Sequence, residues 1–304
     1  MYVGLASIFF ITGVKLANLV KMGFPGANKI GGRSNMDRTK KIVKIIKTSM
    51  VVCFVFLLSV GFIQKTIADD LDKIKDAGKL KIALTGAYPP FSMVNDQNEV
   101  VGFDVSIGSE IARRMGLKPK IITTAWDGIL AGLLAGKYDT IVGSMSINEK
   151  RKEVVDFVGP YYTAGRAIFV RKSSDINSQD DLKGKTIGVT LGETHEKWAR
   201  KQSDMKWNIK TYKGLPELLL EIDNNRIDAL IIDSIPGRVA IKKNNRPIRE
   251  LIIPAMASGA VKVGIAIRKG NPKLASAMQH ALDEMMDDGT YEKIALKWVG
   301  ADIR

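Results

Sequence analysis

In the stretch Gly143-Ser144-Met145-Ser146-Ile147-Asn148-Glu149-Lys150-Arg151, two hydroxyls and a guanidinium fall close together in the chain. If this stretch turns from a strand into a helix, its free backbone N–H groups, the Ser144 and Ser146 hydroxyls and the planar fork of Arg151 can converge on an anion. A carboxylate held bidentately by Arg151 is the natural guest. The competing reading is a serine-rich turn followed by a solvated charged helix. Aromatic residues offer a second kind of chemistry: Tyr88 stands in the turn Gly86-Ala87-Tyr88-Pro89-Pro90-Phe91, and Trp126 opens the segment Trp126-Asp127-Gly128. Two prolines make the first turn rigid and stop strand pairing, so Tyr88 can wall a pocket, while Phe91 is better placed in the core.

The elements that must hold these residues read as an α/β protein. Leu80–Thr85, Lys118–Thr124 and Tyr138–Val142 are short apolar or β-branched runs that predict strands. Between them lie an amphipathic helix over Asp104–Met115, with Asp104 at its N-terminus, and a mostly apolar helix over Trp126–Gly136. In an open α/β sheet, ligands bind at the carboxyl ends of strands, which is where Tyr88, Trp126, Ser144 and Ser146 all fall. Downstream, Phe157–Tyr162 and Ala167–Arg171 form an extended run without helical period, read as a crossing into a second domain. There a strand over Lys185–Thr190, a turn at Leu191–His195 and a helix opening at Glu196 make a second candidate anion site. Asn208–Tyr212, Leu215–Asn224, Ile227–Ile232 and the polar end Asp233-Ser234 repeat the layout of Pro119–Ser144. Ala260–Arg268 reads as a second crossing, and helices over Pro272–Met286 and Thr290–Val299 return to the first domain. Two crossings imply a hinge and a cleft.

Composition narrows the classes. A chain of 304 residues with 45% hydrophobic content can fill one large or two medium cores. Its net charge of +14 suggests nucleic acid until the charge is located. Residues 1–68 hold ten Lys/Arg against the single acid Asp37, whereas 69–304 carries 36 basic and 31 acidic residues, an ordinary mixed surface without a basic aromatic patch. A nucleic-acid partner is therefore not expected. Cys53 is the only cysteine, and His195 and His280 the only histidines, so a disulfide framework, a thiolate cluster and a histidine-rich metal site are excluded. No Gly-x-Ser-x-Gly elbow supports a serine nucleophile.

Basic residues over Arg38–Lys47, an apolar run Met50–Ile63 and the small-residue end Thr66-Ile67-Ala68 have the layout of a secretory signal. Residues 36–68 are thus read as a signal peptide and residues 1–35 as a doubtful N-terminal extension ahead of a start at Met36. The competing reading is a transmembrane helix at 1–20.

The ordered motifs Tyr88-Pro89-Pro90-Phe91, Val101-Gly102-Phe103-Asp104-Val105, Trp126-Asp127-Gly128, Leu134-Ala135-Gly136-Lys137-Tyr138-Asp139, Ser144-Met145-Ser146-Ile147 with Arg151, Gly192-Glu193-Thr194 and Asp228-Ala229-Leu230-Ile231-Ile232-Asp233 resemble the periplasmic solute-binding proteins of amino-acid ABC importers, bacterial extracellular solute-binding protein family 3. The resemblance covers about residues 78–300. It implies a two-lobed type II periplasmic-binding-protein fold, two α/β domains joined by two hinge crossings. Lobe 1 would comprise 69–162 plus 265–304 and lobe 2 168–258, with hinges near 163–167 and 259–264. It also implies a ligand site of Tyr88, Trp126, Ser144, Met145, Ser146, Arg151, Thr194 and Asp233. In that scheme Arg151 and the backbone N–H groups of Ser146 and Thr194 hold the α-carboxylate, Asp233 takes the α-ammonium with help around Ser144, and Tyr88 and Trp126 sandwich the side chain. The expected protein is a periplasmic monomer that passes an amino acid to an inner-membrane ABC permease, without cofactor or metal.

Two departures from the family pattern bear on the ligand. Thr85 stands where members that bind cationic side chains often carry an acid, which favours a neutral polar or cystine-like amino acid. Glu193 stands where a small neutral residue is usual, and its charge is expected to point away from the carboxylate site. The alternatives are a periplasmic enzyme on the same fold, similar to cyclohexadienyl or arogenate dehydratases and using Glu193 or His195, and a membrane-tethered ligand-sensing domain held by residues 1–63.

Overall fold

The computed structural model describes residues 69–243, 245–253 and 260–304, together with Lys44. The expected signal peptide at 36–68 and the extension at 1–35 lie outside the described residues. Two five-stranded sheets organise the rest. In the first, β1 (Lys79–Leu84), β5 (Lys118–Thr123) and β6 (Thr140–Ser146) are parallel in the order β5-β1-β6, and β13 (Val261–Arg268) runs antiparallel between β6 and β7 (Val155–Ala164). In the second, β10 (Asn208–Tyr212), β9 (Thr186–Thr190) and β11 (Ala229–Asp233) are parallel, followed by antiparallel β8 (Arg166–Arg171) and then β12 (Ile248–Leu251). The two sheets share one plan, as the sequence echo predicted. Strand β12 was not foreseen.

The central strands explain why the plan works. β6 and β11 are near-continuous apolar runs because helices cover both faces of a parallel sheet. Against the first sheet, the helix Phe103–Arg114 lays down Phe103, Ile107 and Ile111, spaced four residues apart and fully buried, and Pro272–Asp287 adds Leu274, Met278, Leu282 and Met285. The other face takes Trp126, Ile129 and Leu133 from the helix Trp126–Leu134. In the second sheet, Leu215, Leu218, Leu219 and Ile222 of the helix Leu215–Asp223 play the same part. Truncating one such large buried side chain would cost about 2–5 kcal/mol.

A small sheet of β2 (Ala87–Tyr88), β3 (Ser92–Val94) and β4 (Val100–Val101), absent from the sequence expectation, carries the Tyr88 turn. It is docked by the start of the helix behind it, since Phe103 N donates to Pro90 O (3.1 Å) and Asp104 N to Phe91 O (2.8 Å). Gly102 permits that approach: its φ is 141°, and a Cβ there would lie 2.3 Å from Phe91 O. Phe91 is buried against Phe103 and Tyr162, with ring centroids 5.5 and 5.1 Å away, so its placement in the core is as expected.

After β7 the chain leaves the first sheet and, past Gly165, β8 begins the second's share; Ser234 N donates to Gly165 O at 2.6 Å. The return leads from β12 to β13, and the hinge expected at 259–264 falls partly outside the described residues. Three local expectations are corrected. The serine stretch is not a turn after the strand, because β6 continues through Ser146. The second-sheet helix opens at Thr194, two residues before Glu196. Asp104 does not cap its helix; Gly102 holds that position, and the Asp104 carboxylate is buried beneath β6.

Candidate functional site

Arg151 sits on a single helical turn, Glu149–Lys152, whose start is fixed by Asn148 Oδ1 accepting from Arg151 N (3.0 Å). This turn aims the side chain back along β6, where Nη1 donates to Ser146 O (2.8 Å) and Ser146 Oγ (2.6 Å). The guanidinium carbon lies 5.6 Å from the centroid of the Trp126 ring. Arg151 is only 8% exposed, yet among the described residues its Nε and Nη2 meet no acceptor. Burial lowers its proton affinity, and the neighbouring Glu193 and Asp233 charges oppose that shift. Two nitrogens carrying three N–H donors are left open beside the cavity.

Opposite Arg151, at the carboxyl end of β11, stands Asp233. The Tyr88 hydroxyl donates to Asp233 Oδ2, and His195 Nε2 lies 3.1 Å from Oδ1. Arg166 Nε donates to His195 Nδ1 (3.2 Å), which places the imidazole proton on Nε2 and makes His195 a donor to Asp233. Burial pushes the Asp233 carboxyl up, but His195, the Tyr88 hydroxyl and Arg166 outweigh it and hold the group below its usual range. Arg166 itself stacks on Trp198, 4.4 Å from the ring centroid. Asp233 is thus a half-buried, ionised acceptor.

Trp126, Ser144, Ser146, Arg151, Thr194 and Asp233 line one cavity of about 30 Å³, supplied by both sheets. That volume holds water and no amino acid, so the walls are drawn together. Gly192 and Gly214 mark where they meet. A Cβ on Gly192 would lie 3.1 Å from Asp127 Cα, and one on Gly214 would lie 2.6 Å from Ala87 O. A wider hollow of about 480 Å³ opens beyond Trp126, Arg151 and Thr194 toward Trp198.

Two anticipated ligand contacts have their side chains engaged elsewhere, although Ser144 still borders the cavity. Met145 is 1% exposed and packs in the core with Ile129, Leu133 and Ile141, so its side chain lines the outer hollow and not the central cavity. The Ser144 hydroxyl is taken: Oγ donates to Asp104 Oδ2 (2.7 Å), and the Tyr161 hydroxyl donates to Asp104 Oδ1 (2.7 Å) while accepting from Ser144 N (3.0 Å). Ser144 has φ 57°, in the left-handed region, opposite the register shift between Gly264 and Ala266 of β13. Asp104 therefore acts beneath the site, fixing a strained strand residue. Its burial outweighs the hydrogen bonds from Tyr161 and Ser144 and pushes its carboxyl up to about 7.

Three residues enlarge the site beyond the sequence reading. Arg166 fell within the expected hinge at 163–167 and was not singled out, and only the pairing of β8 with β11, Arg166 opposite Asp233, brings it in. His195 was singled out for acid–base chemistry, not for supporting an acceptor. Glu193 does the reverse of what was expected: its side chain is 9% exposed and lines the cavity. Burial pushes it up to about 7, with His195 and Arg151 pulling down and Asp233 pushing up. Among the described residues, no group of His, Cys, Asp and Glu side chains could hold a metal ion.

Residues 80–301 match the bacterial extracellular solute-binding proteins, family 3, and the chain belongs to that family. It is similar to the L-cystine-binding protein TcyJ of Escherichia coli (strain K12), 33% identical over 267 residues, 86% of this chain and 99% of that protein. Among solved structures it is similar to the P235GK mutant of ArgBP from T. maritima, with TM-score 0.70 and 34% identity over 75% of this chain and 98% of that one. An ancestral amino acid-binding protein described as a precursor of cyclohexadienyl dehydratase also matches, with TM-score 0.70 and 34% identity over 75% of this chain and 99% of that one. The fold is the two-lobed type II periplasmic-binding-protein fold, two α/β domains joined by two crossings.

Proposed function

We propose that this family 3 solute-binding protein captures a polar amino acid between its lobes and delivers it to an ABC importer permease of the inner membrane. The observation that carries the site assignment is the pairing of opposite ends: Arg151, with Nε and Nη2 unoccupied, and Asp233, held ionised, face one cavity from different sheets. A zwitterion spans them, its carboxylate on Arg151 beside Ser146 and Thr194 and its ammonium on Asp233. Tyr88 and Trp126 close over its side chain. TcyJ puts cystine first among the ligands to test.

The lobes assigned here are 69–162 with 265–304 and 168–258, hinged near 163–167 and 259–264. The exported form begins after the signal at 36–68 and works in the periplasm as a monomer. On this reading the chain binds and does not catalyse: of the two candidate acid–base groups, His195 has both nitrogens engaged, one by Arg166 and one by Asp233, and Glu193 serves as an acceptor for the ligand. Thermal-shift measurements on the purified protein against the amino acids and cystine test this reading. Stabilisation by one or a few polar amino acids is the expected result, and no response to any of them would refute it.

A further inference from the structure

Past the Tyr88–Asp233 contact the cleft continues into a second, smaller space lined by Thr85, Tyr88, Trp126, Thr190, Glu193 and Lys213. Glu193 stands at the junction, since it borders both this space and the cavity beside Arg151. Two acceptors there have no partner. Among the described residues the Glu193 carboxylate, 9% exposed, accepts no hydrogen bond, and the buried Thr190 Oγ1 makes none. Burying a carboxylate without donors is costly, so such a group in a cleft marks a place where something arrives to donate. Of the neighbouring donors, Arg151 Nη1 is engaged by Ser146, Arg166 Nε and His195 Nε2 by the network around Asp233, and the Tyr88 hydroxyl by Asp233 itself, while the open Arg151 Nε and Nη2 are the donors assigned to the ligand carboxylate. Lys213 lies exposed at the rim. Thr85, whose neutrality spoke for a neutral ligand, faces the same space, with its Oγ1 accepting from Ala87 N (3.2 Å). Glu193 thus brings a carboxylate from the second sheet's side to the space that Thr85 borders.

We propose that Glu193, with the Thr190 hydroxyl, forms a subsite for a second cationic nitrogen, so that the preferred ligand is a diamino compound. This rests on the amino-acid-binding reading: the first head lies between Arg151 and Asp233, and the side chain passes Tyr88 and Trp126 to place its far ammonium or guanidinium against Glu193. Two sources share that chemistry, a cationic side chain and the second amino-acid head of a cystine-like molecule.

Calorimetric titration of the purified protein with lysine, arginine, cystine and glutamine separates them. At least one diamino ligand should bind roughly tenfold or more tighter than glutamine, and Glu193→Gln should bring that ratio close to one. Thr190→Val, which keeps the side-chain shape, should reduce the ratio in the same direction by a smaller factor. A purely structural Glu193 would weaken all ligands alike and leave the ratio intact, which would overturn the proposal, as would glutamine binding as tightly as every diamino ligand. If none of the four bound while another amino acid stabilised the protein in the thermal-shift series, the subsite would fall and the amino-acid reading would stand; if no amino acid bound at all, both would fail, an outcome distinct from an unchanged ratio.

Discussion

Replacing Arg151 by alanine probes the clamp where its physics is most explicit. In the closed cavity a ligand carboxylate would exchange water for the guanidinium edge left open at Nε and Nη2 beside the Ser146 contacts. The Arg151 side chain is almost wholly buried, so without it the carboxylate would be desolvated and unpaired, a loss of about 2–5 kcal/mol. That corresponds to roughly 30-fold to several-thousand-fold weaker binding. Arg151→Lys should recover only part of this, because an ammonium cannot make the planar two-point contact. Calorimetric titration with the tightest ligand, alongside the melting temperature of the ligand-free protein, is the assay. The affinity should fall while the ligand-free protein remains folded, and the ligand-induced rise in melting temperature should vanish. A loss of less than about threefold in Arg151→Ala would refute the reasoning and return Arg151 to the role of a packed surface-helix arginine.

Gly214→Ala should prop the cleft open, since its Cβ would meet Ala87 O at 2.6 Å across the cleft while its extended φ of 179° suits alanine; affinity should drop with little change in ligand-free stability, and unaltered affinity would contradict a closed site at that contact. Two extended crossings predict a hinge, so small-angle scattering should show a smaller radius of gyration on adding ligand, and an unchanged value would argue for a rigid module. Asp104 is raised by burial to about 7 from an ordinary value of 3.8. Between those values the folded protein binds the extra proton, so this group's contribution makes stability fall as pH rises from about 4 to about 7, by at most about 4 kcal/mol. The stability difference between Asp104→Asn and the parent, followed by denaturant titration across that range, should change with this sign; a difference independent of pH would place the charge elsewhere.

The parts of the fold legible in the sequence were those where one pattern decides the outcome. Continuous runs such as Ile227–Ile232 announce buried parallel strands because nothing polar can face a covered sheet, and the observed β11 is displaced toward Asp233 by only a residue or two. Trp126 was picked out by its place at a strand's carboxyl end and Asp233 by the family resemblance, and both line the central cavity. What escaped depends on pairing between distant segments. Arg166 enters the site only because β8 lies antiparallel to β11, and no local period encodes that register. Asp104 has the sequence signature of a cap, but the positive φ of Ser144, a tertiary consequence of the register shift in β13, draws its carboxylate under the strand instead. Met145 alternates with Ser144 and Ser146, and that alternation turns its side chain away from the central cavity, a consequence that motif matching overlooked.

The central claim is that one zwitterion bridges the lobes between Arg151 and Asp233. A crystal structure of the protein with its tightest amino-acid ligand tests it most directly. The carboxylate should lie within hydrogen-bond distance of the Arg151 guanidinium, with the α-ammonium accepted by Asp233 in place of, or beside, the Tyr88 hydroxyl. A ligand whose carboxylate lies away from Arg151, or whose ammonium is held without Asp233, would contradict the account.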